Sequence, residues 1–234
     1  MARRGVLGLM GGMATFVLSG CGLGPPSYRF KMTVEVDTPE GLKSGSSVYE
    51  VVSNRQTDLV SGGSSSTAEL RGEAVAVDLG GGKTLFALLR LANAKNDDDN
   101  LAIMSMKTLD PNFAYKRADT AERRLKGDGI RSPGDVASAD YPMLVTFGNI
   151  TDPASVVRVD PTNLLASFGS GVKLKRIWVE KTREAVTAGI EERLGWLLTH
   201  RGTLKPNPPS FLDDPKDPNL RILGIGPFST ELHK

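Results

Sequence analysis

Residues 28–37 alternate between apolar and polar side chains without exception, and the apolar ones occupy the even positions. Strict alternation over this length indicates a β-strand with one buried face, because successive side chains of a strand point to opposite faces. Such a strand can bury its apolar face only in a sheet that packs against a second layer. The run therefore predicts a fold based on a sheet that begins at residue 28.

Further strands are predicted along the chain. Residues 73–79 and 83–89 flank Gly80-Gly81-Gly82, and a glycine-rich connection between two apolar segments is typical of a β-hairpin. The second arm is apolar on both faces, which predicts a central, covered strand. Shorter strands are predicted at 47–53, 143–147, 156–159 and 172–181, with an edge strand at 220–223.

The segment 172–181 changes phase. Val172 and Leu174 are apolar at even positions, whereas Ile177 and Val179 are apolar at odd positions. One face of a regular strand cannot bury both pairs, because side chains alternate between faces. The change predicts either a β-bulge or burial of both faces.

Helices are predicted to be short. Asp110-Pro111 can start a helix that ends at Gly127, and Asp160-Pro161 a helix that ends at Gly169. Apolar residues at helical spacing in 190–198 predict an amphipathic helix on the sheet. Loops are predicted at 54–70, 96–100, 127–140 and 201–218.

These elements predict a single α+β domain, mainly β, that spans residues 28–234 and ends in a loop-rich tail. Strands in hairpin-like order favour a largely antiparallel sheet, sandwich-like or barrel-like, with two or three short helices packed on it. No repeat period is visible, so a solenoid or propeller is not expected.

The chain begins with a charged leader. Arg3 and Arg4 precede an uncharged, mostly apolar run over residues 6–18, and the order is typical of a secretory signal peptide. The run is shorter than the roughly 20 residues that a transmembrane helix needs. Cys21, the only cysteine in the chain, follows directly after this leader.

Leu18-Ser19-Gly20-Cys21 resembles the lipobox of bacterial lipoproteins in all four positions. The resemblance implies cleavage between Gly20 and Cys21, attachment of a diacylglyceryl group to the Cys21 sulfur, and acylation of the new amino terminus. Residues 1–20 are then the signal peptide, and 21–27 are the lipidated cysteine with a short tether. The implied partner is a membrane, reached through the acyl chains on Cys21.

The residue after the cysteine is Gly22, where lipoproteins of enteric type that stay in the inner membrane often have aspartate. The resemblance therefore implies an outer-membrane location that faces the periplasm. The mature segments 33–41, 73–89 and 168–172 also resemble small uncharacterised lipoproteins of Gram-negative bacteria. That second resemblance implies no activity.

The charge balance argues against nucleic acid as a partner. The chain has 29 Lys and Arg against 27 Asp and Glu, and Arg3 and Arg4 leave with the leader. The mature domain is thus close to neutral, and it has no basic run of the kind that binds phosphate backbones. Lipid rather than charge is expected to hold the domain at a membrane.

Two short motifs suggest catalysis but fit it poorly. Gly80-Gly81-Gly82-Lys83-Thr84 lacks the earlier glycine of a phosphate-binding loop, since Val77 occupies that position, and a strand rather than a helix is predicted to follow. Ser170-Gly171-Val172-Lys173 matches S-x-x-K without its partner tripeptides. Both motifs are interpreted as turns.

The remaining candidate ligands are scattered. His200 and His233 lack the spacing of a zinc site, and Asp97-Asp98-Asp99 lacks that of a calcium loop. Asp213 and Asp214 are adjacent in a proline-rich loop, which predicts no glycosidase pair. Tyr28, Trp178 and Trp196 are expected in the core or at its rim. The sequence thus predicts no catalytic residue, cofactor or metal.

The expectation is a lipid-anchored cell-envelope protein with a non-catalytic binding or structural role. One alternative is an envelope hydrolase that uses scattered acids and Ser170. A second alternative is a chaperone or assembly factor for outer-membrane components, which an exposed apolar groove would favour.

Overall fold

The computed structural model describes residues 27–57, 64–94, 100–114, 118–127, 132–205, 220 and 222–232. The leader and the lipobox, including Cys21, lie outside these residues, as does most of the predicted loop at 96–100. The strands are β1 (Ser27–Thr38), β2 (Gly41–Thr57), β3 (Ser64–Arg71), β4 (Val75–Gly80), β5 (Lys83–Leu91), β6 (Gly134–Asp135), β7 (Pro142–Phe147), β8 (Val156–Arg158) and β9 (Lys173–Thr182). The α-helices are α1 (Leu101–Leu109), α2 (Ala118–Lys126) and α3 (Leu165–Phe168).

The strands form two sheets that pack on each other. The first sheet has five strands in the order β3-β2-β1-β9-β6, and the second has four in the order β4-β5-β7-β8. Every pairing is antiparallel. The architecture is an open sandwich of the α+β class, mainly β, and this confirms the predicted fold class. Of the two predicted forms, the sandwich and not the closed barrel is observed.

The alternating run forms β1, near the middle of the five-stranded sheet. Its even-numbered side chains from Tyr28 to Val36 are buried, and Phe30 stacks on Tyr49 of β2 with ring centroids 5.0 Å apart. β1 pairs with β2 along its whole length and with β9 on its other side. The predicted strand is therefore confirmed, and it is the central strand of this sheet.

The phase change in β9 is a β-bulge, as predicted. Glu35 pairs with Arg176, but the next residue, Val36, pairs with Leu174. Lys175 is thus the extra residue on β9. Because of this extra residue, Leu174 and Ile177 both pack against the core between the sheets.

A loop was predicted at 54–70, and this prediction is wrong for the described part of it. β2 continues to Thr57, and β3 pairs with it from Arg71 opposite Glu50 to Ser64 opposite Thr57. The serine-rich sequence has no apolar alternation because β3 lies at the edge of the sheet. Main-chain pairing with β2 forms the strand, and Ala68 and Leu70 near its end pack against the core between the sheets.

The glycine-rich hairpin is confirmed as β4 and β5. Gly80, Gly81 and Gly82 all have positive φ, which suits glycine at a tight turn. β5 is the covered central strand that its sequence predicts. Its odd-numbered apolar residues face the core between the two sheets, and Phe86 and Leu88 face a second core on the far side of the four-stranded sheet.

The second core is closed by the C-terminal segment. Ile190, Leu194 and Leu197 are buried there, as the predicted apolar stripe requires. The segment forms two 3₁₀-helical turns, Ile190–Glu192 and Gly195–Leu198, instead of one α-helix. Leu194, with a φ of −119° and a ψ of 62°, departs from helical geometry between the two turns, and Leu198 is exposed. The described residues of 220–223 form no strand, so the predicted edge strand is wrong for them.

The helix predicted over residues 110–127 corresponds to α2, and its predicted start at Asp110-Pro111 is wrong, because α2 begins at Ala118. Asp110 instead follows the last residue of α1, a separate helix that was not predicted and that is capped by Asn100, whose Oδ1 accepts the N–H of Ala102 at 2.9 Å. The Asp110 carboxylate accepts a hydrogen bond from Arg124 of α2 at 3.0 Å. The predicted end at Gly127 is correct, because α2 finishes at Lys126.

α3 is a single turn that begins at Leu165 rather than at Pro161. Asp160 instead accepts the N–H of Thr162 at 2.8 Å and closes a turn before the helix. Gly169 ends α3 with a φ of 101°, as predicted. Within the described ranges, no helix has both the length and the apolar character to cross a membrane.

Candidate functional site

A pocket of about 240 Å³ opens at the corner where the chain passes from the first sheet to the second. Its polar lining comes from three segments: β2, the corner between β3 and β4, and the stretch after β9. These polar residues are Ser46, Ser47, Glu73, Thr187 and Arg193. The pocket is a candidate site, because it joins a cavity to a buried acid.

Local geometry fixes the corner. Gly72 leaves β3 with a φ of 139°, and a side chain at this position would lie 2.8 Å from the Tyr49 ring. The C-terminal segment pairs with the corner: Ala74 N–H donates to Phe228 at 2.8 Å, and Thr230 N–H donates to Gly72 at 3.0 Å. The backbone on both sides of Glu73 is therefore fixed by hydrogen bonds to the C-terminal segment.

Glu73 lies at the base of the pocket and is 1% exposed. Its Oε2 accepts the N–H of Ile190 at 2.9 Å, and its Oε1 accepts the hydroxyl of Ser229 at 3.0 Å. Burial raises the pKa of the Glu73 carboxyl; the hydrogen bonds oppose this rise, and the negative charge of Glu191 adds to it. The pKa of Glu73 is therefore raised overall.

The segment 187–193 forms the opposite wall. It runs beside β2 where β3 has left the sheet: Thr187 N–H donates to the Val48 carbonyl at 3.1 Å, and Val48 N–H donates to Thr187 Oγ1 at 2.8 Å. Gly189 then turns the chain with a φ of 109°, so that the N–H of Ile190 reaches Glu73. Arg193 is the last residue of this segment that lines the pocket.

Arg193 is exposed, and its guanidinium makes no hydrogen bond or ion pair with any residue that the structure describes. The pocket therefore has a buried acid at its base and an unpaired cation in its wall. Ser46, Ser47 and Thr187 are further polar residues of the same lining. This arrangement suits the binding of a small polar molecule.

Nucleophilic chemistry has less support at this pocket. Ser229 is the hydroxyl that contacts Glu73, but it is 5% exposed and does not line the pocket. Its oxygen also accepts the N–H of Glu231 at 2.9 Å. The Glu73–Ser229 contact thus stabilises the corner rather than presenting a nucleophile to the pocket.

A second polar cluster lies on the outer face of the five-stranded sheet. Arg176 contacts Glu35 through two hydrogen bonds, and Trp178 Nε1 donates to the same carboxylate at 3.3 Å. The Arg176 guanidinium lies 5.4 Å from the centre of the Trp178 ring. Trp178 is half-buried on this face of the sheet, and its hydrogen bond to Glu35 joins β9 to β1.

The two motifs that suggested catalysis are turns. Lys83, from the glycine-rich motif, donates through Nζ to the carbonyl of Phe168 at 3.1 Å, at the end of α3. Ser170 lies after α3 rather than at a helix start, and both Ser170 and Lys173 are exposed. Neither motif lines the Glu73 pocket.

His200 is held by its neighbours: a ring nitrogen lies 3.0 Å from the carbonyl of Thr203, and the ring meets Trp196 edge-on. No three His, Cys, Asp or Glu side chains group as metal ligands in the ranges that the structure covers. The other predicted candidates, His233, Asp97, Asp98, Asp99, Asp213, Asp214 and Cys21, lie outside the described residues.

The remaining aromatic residues lie where the sequence predicts. Tyr28 is 4% exposed, and its hydroxyl lies 2.8 Å from Ser105 Oγ of α1. Trp196 is partly buried at the edge of the second core, and its Nε1 donates to the Ile150 carbonyl at 3.0 Å. Neither residue lines the Glu73 pocket.

Sequence reasoning missed the pocket. Glu73 was only the first residue of an apolar segment, and nothing near it in the sequence distinguishes it from a solvent-exposed acid. The one available indication is Gly72 directly before it, since a glycine between two strands permits a sharp corner.

Comparison of the chain with protein-family models, with curated protein sequences and with solved structures found no match. The fold therefore defines the class, an α+β protein with two antiparallel sheets, and the geometry of the pocket carries the functional argument.

Proposed function

We propose that this chain is a lipid-anchored protein of the bacterial cell envelope whose β-rich domain has a non-catalytic binding role. The observation that carries the binding role is the pocket with Glu73 at its base and Arg193 in its wall. A small cavity with a few convergent polar groups is the usual form of a ligand site.

The anchor in this proposal is Cys21. The motif Leu18-Ser19-Gly20-Cys21 supports lipidation, and Ser27, the first residue of β1, follows Cys21 by six positions. A tether of this length spans at most about 20 Å, so the anchored domain would stay next to the membrane. Gly22 supports the outer membrane, periplasmic face, as the location. The near-neutral mature charge supports a partner other than nucleic acid.

Labelling of cells with a radioactive fatty acid tests the anchor. The wild-type protein should incorporate label and fractionate with membranes, and Cys21→Ser should lose both properties and retain its leader. The double variant Cys21→Ser/Ser170→Cys is the matched control, because it restores a thiol at an exposed position of the domain without restoring label. Labelling that persists in Cys21→Ser contradicts the proposed anchor.

The contacts of Glu73 support binding over hydrolysis, because its hydrogen bonds go to the backbone of Ile190 and Gly189 and to Ser229, which does not line the pocket. The purified mature protein should therefore not turn over peptidoglycan, ester or glycan substrates. Turnover that Ser170→Ala abolishes, with the fold intact, would establish the hydrolase instead.

A further inference from the structure

We infer that the pocket between Glu73 and Arg193 is a binding site for a small zwitterion of the amino-acid class, with the ligand's ammonium group at Glu73 and its carboxylate at Arg193. This inference deepens the proposed binding role and rests on it, but it is independent of the lipid anchor. Its basis is the placement of an acid and a base in the lining of one cavity, neither of which has an ion-pair partner among the described residues.

The charge of Glu73 lacks a partner in the fold. No ion pair joins Glu73 to any described cation, and Arg193, although it lines the same pocket, does not come within salt-bridge distance. A buried carboxylate is ordinarily paired, since an isolated charge away from water is costly. An ammonium group that enters the pocket from solvent would supply the missing cation.

The Glu73 carboxylate retains capacity to accept hydrogen bonds. An ionised carboxylate has about four acceptor sites. The N–H groups of Ile190 and Gly189 and the Ser229 hydroxyl account for its protein partners. An ammonium group that enters the pocket can use the remaining site.

Arg193 supplies the complementary group. Its guanidinium is exposed at the pocket wall and binds nothing else in the described part of the chain. Guanidinium groups bind carboxylates through two parallel hydrogen bonds, so a free one beside a pocket is suited to a ligand carboxylate. A simple amine uses only the Glu73 end of the site, and a simple carboxylate uses only the Arg193 end.

The size of the pocket limits the ligand. A volume of about 240 Å³ is below the roughly 300–1,000 Å³ of sites for drug-sized molecules. The cavity therefore favours a small amino acid over a larger ligand.

Proton release should accompany binding. The charged group that acts on Glu73 is Glu191; Glu73 in turn acts on the buried Tyr49, and Arg193 lines the same pocket. Burial raises the pKa of Glu73, whereas an ammonium partner favours its ionised form. Calorimetry in two buffers with different ionisation enthalpies, repeated from acid to neutral pH, should therefore show a proton leaving the complex in the range where free Glu73 is still protonated.

The test uses the mature lipidated protein in detergent micelles, with glycine, L-alanine and D-alanine as probes and methylamine and acetate as half-ligands. Thermal shift and titration calorimetry should show binding of at least one zwitterion, with each half-ligand weaker by about tenfold or more. Glu73→Gln and Arg193→Gln should each weaken zwitterion binding by at least about tenfold. Glu180→Gln on β9, outside the pocket lining, should leave binding unchanged.

The inference is overturned if no zwitterion binds, if methylamine binds as tightly as glycine, or if either pocket variant binds like the wild type. Arg193 is exposed, so its variant remains informative even if Glu73→Gln perturbs the corner. Loss of the ligand inference would leave fatty-acid labelling at Cys21 intact, which separates its failure from failure of the proposed anchor.

Discussion

Glu35 on β1 accepts two hydrogen bonds from the Arg176 guanidinium on the neighbouring strand β9, at 2.9 Å from Nε and 3.1 Å from Nη2. Glu35 is mostly buried, with an 11% exposed side chain, whereas the Arg176 side chain is 45% exposed. The pair is the last regular one before the bulge at Lys175. It therefore fixes the register of the two central strands where the ladder is interrupted.

Hydrogen bonds from Arg176 lower the pKa of Glu35 against the opposing effect of burial. The ionised carboxylate thus stabilises the fold above its ordinary pKa, and this contribution is lost as the pH falls through the lowered value. Glu35→Gln should lower the free energy of unfolding by about 1 kcal/mol at about pH 7, and the difference should shrink as the pH falls from the ordinary pKa of 4.5 through the lowered value. Urea unfolding at several pH values measures this, with Glu180→Gln as control. A difference that is constant with pH would contradict it.

Glu73 should show the opposite pH dependence. Its pKa lies above the ordinary value of 4.5 because of burial, so its protonated form fits the fold better than its ionised form. The stability that this group contributes is complete below the ordinary pKa and is lost as the pH rises through the raised value. Relative to wild type, Glu73→Gln should therefore gain stability between acid and neutral pH. Unfolding curves for both proteins across this range, without ligand, provide the measurement; a relative loss of stability with rising pH would show that the sign is wrong.

The patterns that predicted the fold correctly were those in which burial repeats along one strand. The alternation in β1, the two-sided apolar run of β5 and the phase change in β9 each report a buried face directly. β3 was not predicted because its first half consists of serine and threonine. Its pairing with β2 is through the main chain, which leaves no signal in the side-chain pattern. The start of the helix predicted over 110–127 was misplaced because Asp110 has the chemistry of an N-cap but follows the last residue of α1 and accepts a hydrogen bond from Arg124.

The candidate site could not be predicted for a related reason. Glu73 and Arg193 are far apart in the sequence, and neither belongs to a motif. They line the same pocket because Gly72 turns the chain from one sheet to the other and because residues 187–193 lie beside β2 beyond the end of β3. Contacts of this kind depend on the packing of the two sheets.

Gly45 on β2 marks a point where the two sheets meet backbone to backbone. A Cβ atom at this position would overlap the carbonyl of Ala76 on β4. Gly45→Ala should therefore force the sheets apart and lower the free energy of unfolding by about 1–3 kcal/mol. Gly195→Ala is the matched control, because its Cβ would meet open space, and its effect should stay within about 0.5 kcal/mol. Denaturant midpoints of the two variants test the difference, and equal midpoints would contradict the close approach.

The bulge predicts which residue of β9 can be removed. Lys175 has no opposite residue on β1, so its deletion would join Leu174 to Arg176 and leave every other pair and both faces of the strand in place. Deletion of Glu180 from the same strand would instead move one side of the strand to the opposite face of the sheet. The Lys175 deletion should stay folded and lose no more than about 1 kcal/mol, whereas the Glu180 deletion should abolish cooperative unfolding. Circular dichroism with urea titration measures both, and an unfolded Lys175 deletion would show that the bulge is required.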